Sequence, residues 1–207
     1  MSRRTTPYSA VKGSTMPDLE RPVKVGTDLT IPVSPADHAL GPADAPVTLV
    51  EYGDYECPDC LSAQPILADL RRRLKDGLRF VFRHFPRSSV HPRASAAAAA
   101  AEAAGAQGKF WEMHEALFRH QRELIDVDLT HLALGIGVEL YAFQRDLESA
   151  ASARRVRSDY DGGVQSGVRG TPAFFINGRR YTGPATVDAL LAALTAAASA
   201  GPARHSD

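Results

Sequence analysis

The chain is 207 residues long with a mass of 22.3 kDa, which suits one domain or one domain carrying a sizeable insertion. Its 24 Lys and Arg balance 24 Asp and Glu, so the basic excess that nucleic-acid binding needs is missing. No run approaches the roughly 20 apolar residues of a membrane span, so a membrane partner is not expected either.

The chain opens on Met1-Ser2-Arg3-Arg4-Thr5-Thr6, a positive start followed by polar residues and Pro7, Pro17 and Pro22 rather than an apolar stretch. That pattern lacks the core of an export signal and predicts a cytoplasmic location. Residues 1–37 read as a mobile arm with at most one short strand, Asp28 to Val33. Pro46 to Tyr52 (PVTLVEY) is a nearly continuous apolar run, as expected of a central strand covered on both faces, and Glu51 interrupts it. From Pro58 to Lys75, Ala63, Ile66, Leu67, Leu70 and Leu74 recur at helical spacing, and Asp76-Gly77 ends the pattern. Leu78 to Phe85 (LRFVFRHF) reads as a second strand, which makes a right-handed βαβ unit with parallel strands.

Residues 92–167 change character. Six consecutive alanines, Ala96 to Ala101, lead into Phe110, Trp111, Met113 and Phe118, and helical patterns follow around Thr130–Gly135, Glu139–Leu147 and Ser149–Tyr160. This block is expected to be an all-helical insertion, with the alanines allowing close helix packing and the aromatics forming its core. The β pattern returns at Ala173–Ile176, where Asn177-Gly178 predicts a type I′ turn into Arg179–Tyr181. Val187, Leu190, Leu191 and Leu194 mark a final helix, and residues 199–207 read as a polar tail. The division is therefore 1–37, 38–91 with 168–198, the insert 92–167, and the tail.

The chain has two cysteines, too few for a disulfide framework, and they stand at Cys57 and Cys60 where the first strand gives way to the helix. Cys57 is expected at the N-cap, with Pro58 at the first helical position, where a missing N–H costs nothing. Unpaired amides and the helix dipole then stabilise a thiolate, so the Cys57 pKa is expected below the free value of about 8.5. Cys60, one turn on, is expected beneath it, giving an exposed attacking sulfur and a sheltered resolving one. Glu51 either takes the proton of Cys60 from a buried position or sits solvated or salt-bridged at the strand edge. Asp59, between the cysteines, is a carboxylate expected to raise the Cys57 pKa and make the disulfide less oxidising. Tyr52 and Tyr55 are expected to line the groove around Cys57, though core packing explains Tyr52 as well. In Val168-Arg169-Gly170-Thr171-Pro172-Ala173, a proline precedes a buried strand, and a cis Thr171–Pro172 bond leaves the Thr171 backbone free to pair with an extended peptide beside Cys57. Only about one X–Pro bond in twenty is cis, so Pro172 taken alone reads as trans. A CxxC pair is also half of a zinc site, but the downstream His84 and His91 do not complete a finger-type spacing, and no metal is expected. His38, His114, His120, His131 and His205 form no constellation in the sequence.

Cys57-Pro58-Asp59-Cys60 after a strand, a helical insertion, then Gly170-Thr171-Pro172 before a hairpin resembles the DsbA-like branch of the thioredoxin superfamily. The surrounding text (LGPADAPVTLVEYGDYECPDC, GKFWEMHEALF, VRGTPAFFING) is similar to the bacterial thiol–disulfide oxidoreductases of that branch over about residues 38–198. The resemblance implies an α/β thioredoxin fold with a mixed four-stranded sheet and an inserted helical domain. It implies Cys57 as nucleophile, Cys60 as resolver, Glu51 as the family's buried acid, and Pro172 as a cis-proline opposite the cysteines. Strongly oxidising members carry Pro-His between the cysteines where this chain has Pro58-Asp59. Together with the expected cytosolic poise of about −220 to −320 mV, that favours reduction or isomerisation over oxidation. Expected partners are disulfide-containing proteins or low-molecular-weight thiols and a redox partner, with no cofactor. Two other classes stay open at this point: a redox-inert peptide-binding module or chaperone, and a thiol-dependent isomerase of small molecules.

Overall fold

The computed structural model describes residues 28–124 and 128–200. Its strands are β1 (His38–Leu40), β2 (Val47–Gly53), β3 (Leu78–His84), β4 (Ala173–Ile176) and β5 (Arg179–Tyr181). Its α-helices are α1 (Pro58–Leu74), α2 (Ala94–Gly105), α3 (Phe110–Arg119), α4 (Leu129–Gly135), α5 (Leu140–Leu147), α6 (Ala150–Gln165) and α7 (Val187–Ala200). The sheet order is β1-β3-β2-β4-β5, with β2 and β3 parallel and every other pair antiparallel.

The βαβ unit forms as the periodicities require. β2 and β3 are buried along almost their whole length, and α1 lays Cys60, Ala63, Leu67 and Leu70 against the sheet. Alternation along β2 sends Val47, Leu49 and Glu51 to one face and Val50 and Tyr52 to the other. The first face shares its core with α1, α7 and the buried residues of the helical insertion. The second is covered by Phe85, Val168 and Tyr160 of α6. Asn177 (φ 46°) and Gly178 (φ 82°) take the two positive φ values of the expected turn, and Asn177 also bonds both the N–H and the C=O of Thr48. α2 buries Ala97, Ala98, Ala100, Ala101, Ala103 and Ala104, so the alanine run is a packing surface met by α3, α5 and α6.

Four expectations need correction. The sheet has five strands, not four, because His38–Leu40 adds an antiparallel edge to β3. The expected strand from Asp28 to Val33 does not form, and only Asp28 bridges to Arg179. Residues 28–37 are also no free arm. The Arg83 guanidinium, on β3 and buried, donates to both carboxylate oxygens of Asp37 at 2.8 and 3.0 Å, to the carbonyls of Ile31 and Pro32, and to the Tyr52 hydroxyl. Four of these five bonds tie that segment to the sheet, and the fifth joins β3 to β2. The remainder of the expected arm, 1–27, lies outside the described residues. The tail begins later than expected, since α7 continues through Ala200.

α6 reaches the sheet because Gly163 has no side chain. A Cβ there would lie 2.7 Å from Cδ2 of Phe85, whose ring is stacked on Tyr160 at 4.6 Å. Alanine has the better helix propensity by about 1 kcal/mol, but overpacking a rigid aromatic contact costs typically ~1–3 kcal/mol. Gly163→Ala is therefore expected to lower unfolding stability by ~1 kcal/mol or more in a denaturant titration, and a more stable variant would contradict the packing account.

Candidate active site

Cys57 is the N-cap of α1 (φ −74°, ψ 119°) with Pro58 as the first helical residue. Its carbonyl accepts the first helical hydrogen bond, from Leu61, and its own N–H donates to Asp54 O in the preceding turn. Both cysteines are free thiols. Cys60 is fully buried, and Cys57, expected to be exposed, is itself only 4% exposed.

The Cys57 pKa is pulled down to about 5. The largest cause is a hydrogen bond from the Cys60 thiol, opposed by burial, and the backbone N–H groups of Cys60 and Asp59 add to the lowering. These amides are the unpaired donors of the first helical turn. Thr171 acts in two senses. Its carbonyl lies 3.1 Å from Cys57 Sγ and accepts from the thiol, which favours the protonated form. The Thr171 side chain, whose buried hydroxyl has no hydrogen-bond partner, favours the thiolate. The Cys60 thiol is pushed far up, first by burial and then by its bond to Cys57 and the nearby Glu51 charge. The expected rise in the Cys57 pKa from Asp59 is not seen. Asp59 is exposed and acts on Cys57 through its backbone N–H.

Glu51 is 0% exposed, and neither carboxylate oxygen has a partner. The strand-edge alternative is thereby excluded. In register Glu51 lies between Phe82 on β3 and Phe174 on β4, on the sheet face that carries α1. Burial, and then the charge of Cys57, raise its pKa to about 8. The Thr171–Pro172 bond is cis. Thr171, Pro172 and Asp59 line one groove of about 480 Å³ with Ile66, Phe174 and Tyr181. Pro58 stays at the exposed helix start. Of the sequence-selected residues, the fold thus gathers Cys57, Cys60, Glu51 and Thr171 around one point, with Pro172 and Asp59 beside it.

Tyr52 and Tyr55 do not line that groove. Both are fully buried, Tyr52 between Phe85 and Phe175 and Tyr55 against Phe82 and Phe118. His84 and His91 have other work, His84 donating to Glu102 at 2.9 Å and His91 Nδ1 lying 2.7 Å from Asp54. Sequence reasoning missed two residues of the insertion. Gln121 is buried, and its amide nitrogen donates to Tyr55 O at 2.8 Å and Cys57 O at 2.9 Å, clamping the loop that carries Cys57. His114 is 3.1 Å from the Tyr55 hydroxyl and 3.3 Å from Gln64, whose amide donates to the Cys60 carbonyl. Burial pushes the His114 pKa down to about 3, so the ring is neutral. Nothing in the local pattern marks either residue.

Two pH dependences follow. The alkylation rate of Cys57 by iodoacetamide is expected to titrate near pH 5, and a midpoint near 8.5 would refute the thiolate site. For Glu51, with a pKa raised from 4.5 to about 8, the folded state holds a proton that the unfolded state loses, so its contribution is full below about pH 4.5 and lost as pH rises through 8. Cys57, lowered from 9.0 to about 5, works in the opposite sense: its contribution is full above pH 9 and lost as pH falls through 5. The comparison that isolates the carboxyl is Glu51→Gln against wild type, where the variant's advantage in melting temperature should widen from pH 5 to pH 8. A constant difference would mean that Glu51 titrates normally.

The geometry agrees with what this chain is similar to. The thioredoxin family model matches residues 33–196. A protein named as a Na(+)/H(+) antiporter NhaA 1 from Salinispora arenicola is 48% identical over 171 residues, covering 82% of this chain and 26% of that protein. The chain thus spans about a quarter of the length of such curated relatives. No helix among the described residues is long and apolar enough to cross a membrane. Among solved structures, a thioredoxin-like oxidoreductase from Silicibacter pomeroyi is 26% identical, with a TM-score of 0.68 over 80% of this chain and 94% of that one. Wolbachia pipientis alpha-DsbA1, 19% identical, shares the fold with a TM-score of 0.71 over 83% of this chain and 95% of that one. The chain belongs to the thioredoxin family.

Proposed function

We propose that this chain is a thiol–disulfide oxidoreductase working through Cys57 and Cys60 on disulfides of polypeptides or low-molecular-weight thiols. The observation that carries the reading is the Cys57 sulfur at the start of α1, held as a thiolate at neutral pH by Cys60 and the first-turn amides. The thiolate attacks one sulfur of a substrate disulfide; that bond breaks, the first substrate thiolate leaves and takes a proton from solvent, and a mixed disulfide joins Cys57 to the rest. Cys60 then loses its proton, attacks Cys57 Sγ and expels the second substrate thiolate, which is protonated in turn. Two electrons pass to the substrate, and the pair is left as a disulfide for a redox partner to reduce.

Glu51 supplies the base for the second step. While Cys57 is a thiolate, its charge helps keep the Glu51 carboxyl protonated. Formation of the mixed disulfide removes that charge, the carboxyl ionises more readily, and the carboxylate beneath the pair receives the Cys60 proton. Thr171 and Pro172 present the backbone against which an extended substrate pairs, with Pro58 and Asp59 at the opposite edge.

Direction follows from the same thiolate. A low Cys57 pKa stabilises the reduced pair and makes its disulfide more oxidising than Asp59 alone suggests. In the cytosol proposed for it, poised at about −220 to −320 mV, a pair whose potential lies above that poise rests as a dithiol and serves reduction or isomerisation. Its potential, from equilibration with glutathione, is expected between roughly −270 and −120 mV. Cys57→Ser should abolish insulin reduction, Cys60→Ser should trap substrates as mixed disulfides, and Glu51→Gln should slow the release of such mixed disulfides by about 10²-fold at neutral pH. Full activity in Cys57→Ser would overturn the scheme.

A further inference from the structure

On the side of the cis-proline loop away from the Thr171–Pro172 groove lies a second, larger one of about 1090 Å³. Its apolar lining comes from Phe85, Val156, Tyr160, Val164 and Val168, with Phe85 and Tyr160 stacked at 4.6 Å. Arg87, Arg154, Arg157 and Arg169 also line it, together with serines and no carboxylate. Arg157 is paired to Asp161 at 2.8 Å, while Arg87, Arg154 and Arg169 have no ion-pair partner among the described residues. In a chain with zero formal charge, four arginines around an apolar surface without one lining acid are a marked local asymmetry. Val164 is 47% exposed within it.

We propose that this groove binds an acidic and apolar polypeptide segment, the flank of a disulfide-bearing substrate whose cysteine reaches Cys57. Three observations select that occupant. Arginine beside Tyr and Phe is the chemistry of protein-interface anchor points, and the rim charge selects acids. The groove is continuous with the loop that faces Cys57, since Val168 and Arg169 line it and Thr171 and Pro172, two and three residues beyond Arg169, line the other groove. The first 27 residues of this chain carry five Lys or Arg against two Asp or Glu, the same sign as the rim, so they do not supply the partner. The proposal deepens the exchange reading and rests on it only for what the bound segment is attached to.

The test separates the two. A short, dye-labelled, cysteine-free peptide alternating Asp or Glu with Leu and Phe is titrated with the reduced protein and followed by fluorescence anisotropy. Its counterpart carries Lys in place of the acids. At low salt the acidic peptide should bind about tenfold more tightly, a few exposed charge contacts being involved, and the preference should fade towards 1 M salt. Arg154→Glu, which reverses a rim charge on α6, and Val164→Asp, which removes exposed apolar lining, should each weaken the acidic peptide by about threefold or more. Circular dichroism and reduction of hydroxyethyl disulfide should match wild type in both. Equal binding of the two peptides, or binding unchanged in both variants, overturns the proposal. So does binding to phosphatidylglycerol vesicles that Arg154→Glu abolishes while the acidic peptide stays unbound, an outcome that makes the groove a lipid site. If wild type binds the acidic peptide yet reduces neither hydroxyethyl disulfide nor insulin, the groove stands and the exchange reading fails.

Discussion

Cys57 and Glu51 share a dry space in which one negative charge opposes a second. The carboxyl has no hydrogen-bond partner, the Cys57 thiolate raises its pKa, and both press the Cys60 thiol towards its neutral form. The Cys60 thiol and, after it, the first-turn amides favour the charge on Cys57, whereas Glu51 has no such donors, so the anion settles on sulfur. Burial alone would push the thiol up. The fold therefore distributes one negative charge and two protons over three groups, and chemistry at Cys57 moves the proton balance at the other two.

This distribution needs a rigid loop, and the helical insertion supplies it. Gln121 uses one amide nitrogen to hold the carbonyls of Tyr55 and Cys57, and the Tyr55 hydroxyl is held by His114 on α3. The insertion is fastened in turn to the sheet through Glu102 of α2, which accepts from His38 on β1 and His84 on β3 at 2.8 and 2.9 Å. Those two bonds hold the Glu102 carboxyl well below the usual carboxylate range, even though burial is the largest single influence and acts the other way. The insertion is thus part of the wall of the site, in polar as well as apolar contact with the active-site loop.

Local rules explain what could be read in the sequence. The 3.6-residue period of α1, the Cys57–Pro58 helix start, the Asn177-Gly178 turn and the buried alanine face each follow from residues within a few positions of one another. What stayed hidden depends on partners far away in the chain. β1 is three residues long and exists because β3 pairs with it, Arg83 meets Asp37 across 46 positions, and Gln121 meets Cys57 across 64. No periodicity records such contacts. Asp59 misled for a different reason. Two residues along a helix is a turn of about 200°, which carries its carboxylate away from Cys57, whereas Cys60, three along, returns to the same side. Proximity in sequence was the wrong measure of electrostatic coupling.

The low exposure of Cys57 bears on what kind of molecule can react. In the proposed exchange, Cys57, a residue only 4% exposed whose sulfur lies beside the Thr171 carbonyl, is reached by a disulfide on an extended, protruding segment more easily than by one flat on a folded surface. Such a segment has to continue past the cis-proline loop, where Asp59 and Tyr181 stand on one side and Arg169 on the other. The thiolate chemistry is indifferent to the identity of those neighbouring residues. On the exchange reading proposed above, discrimination among substrates falls to the walls of the two grooves rather than to the cysteines, because the surface that differs between one disulfide and another is the chain on either side of it.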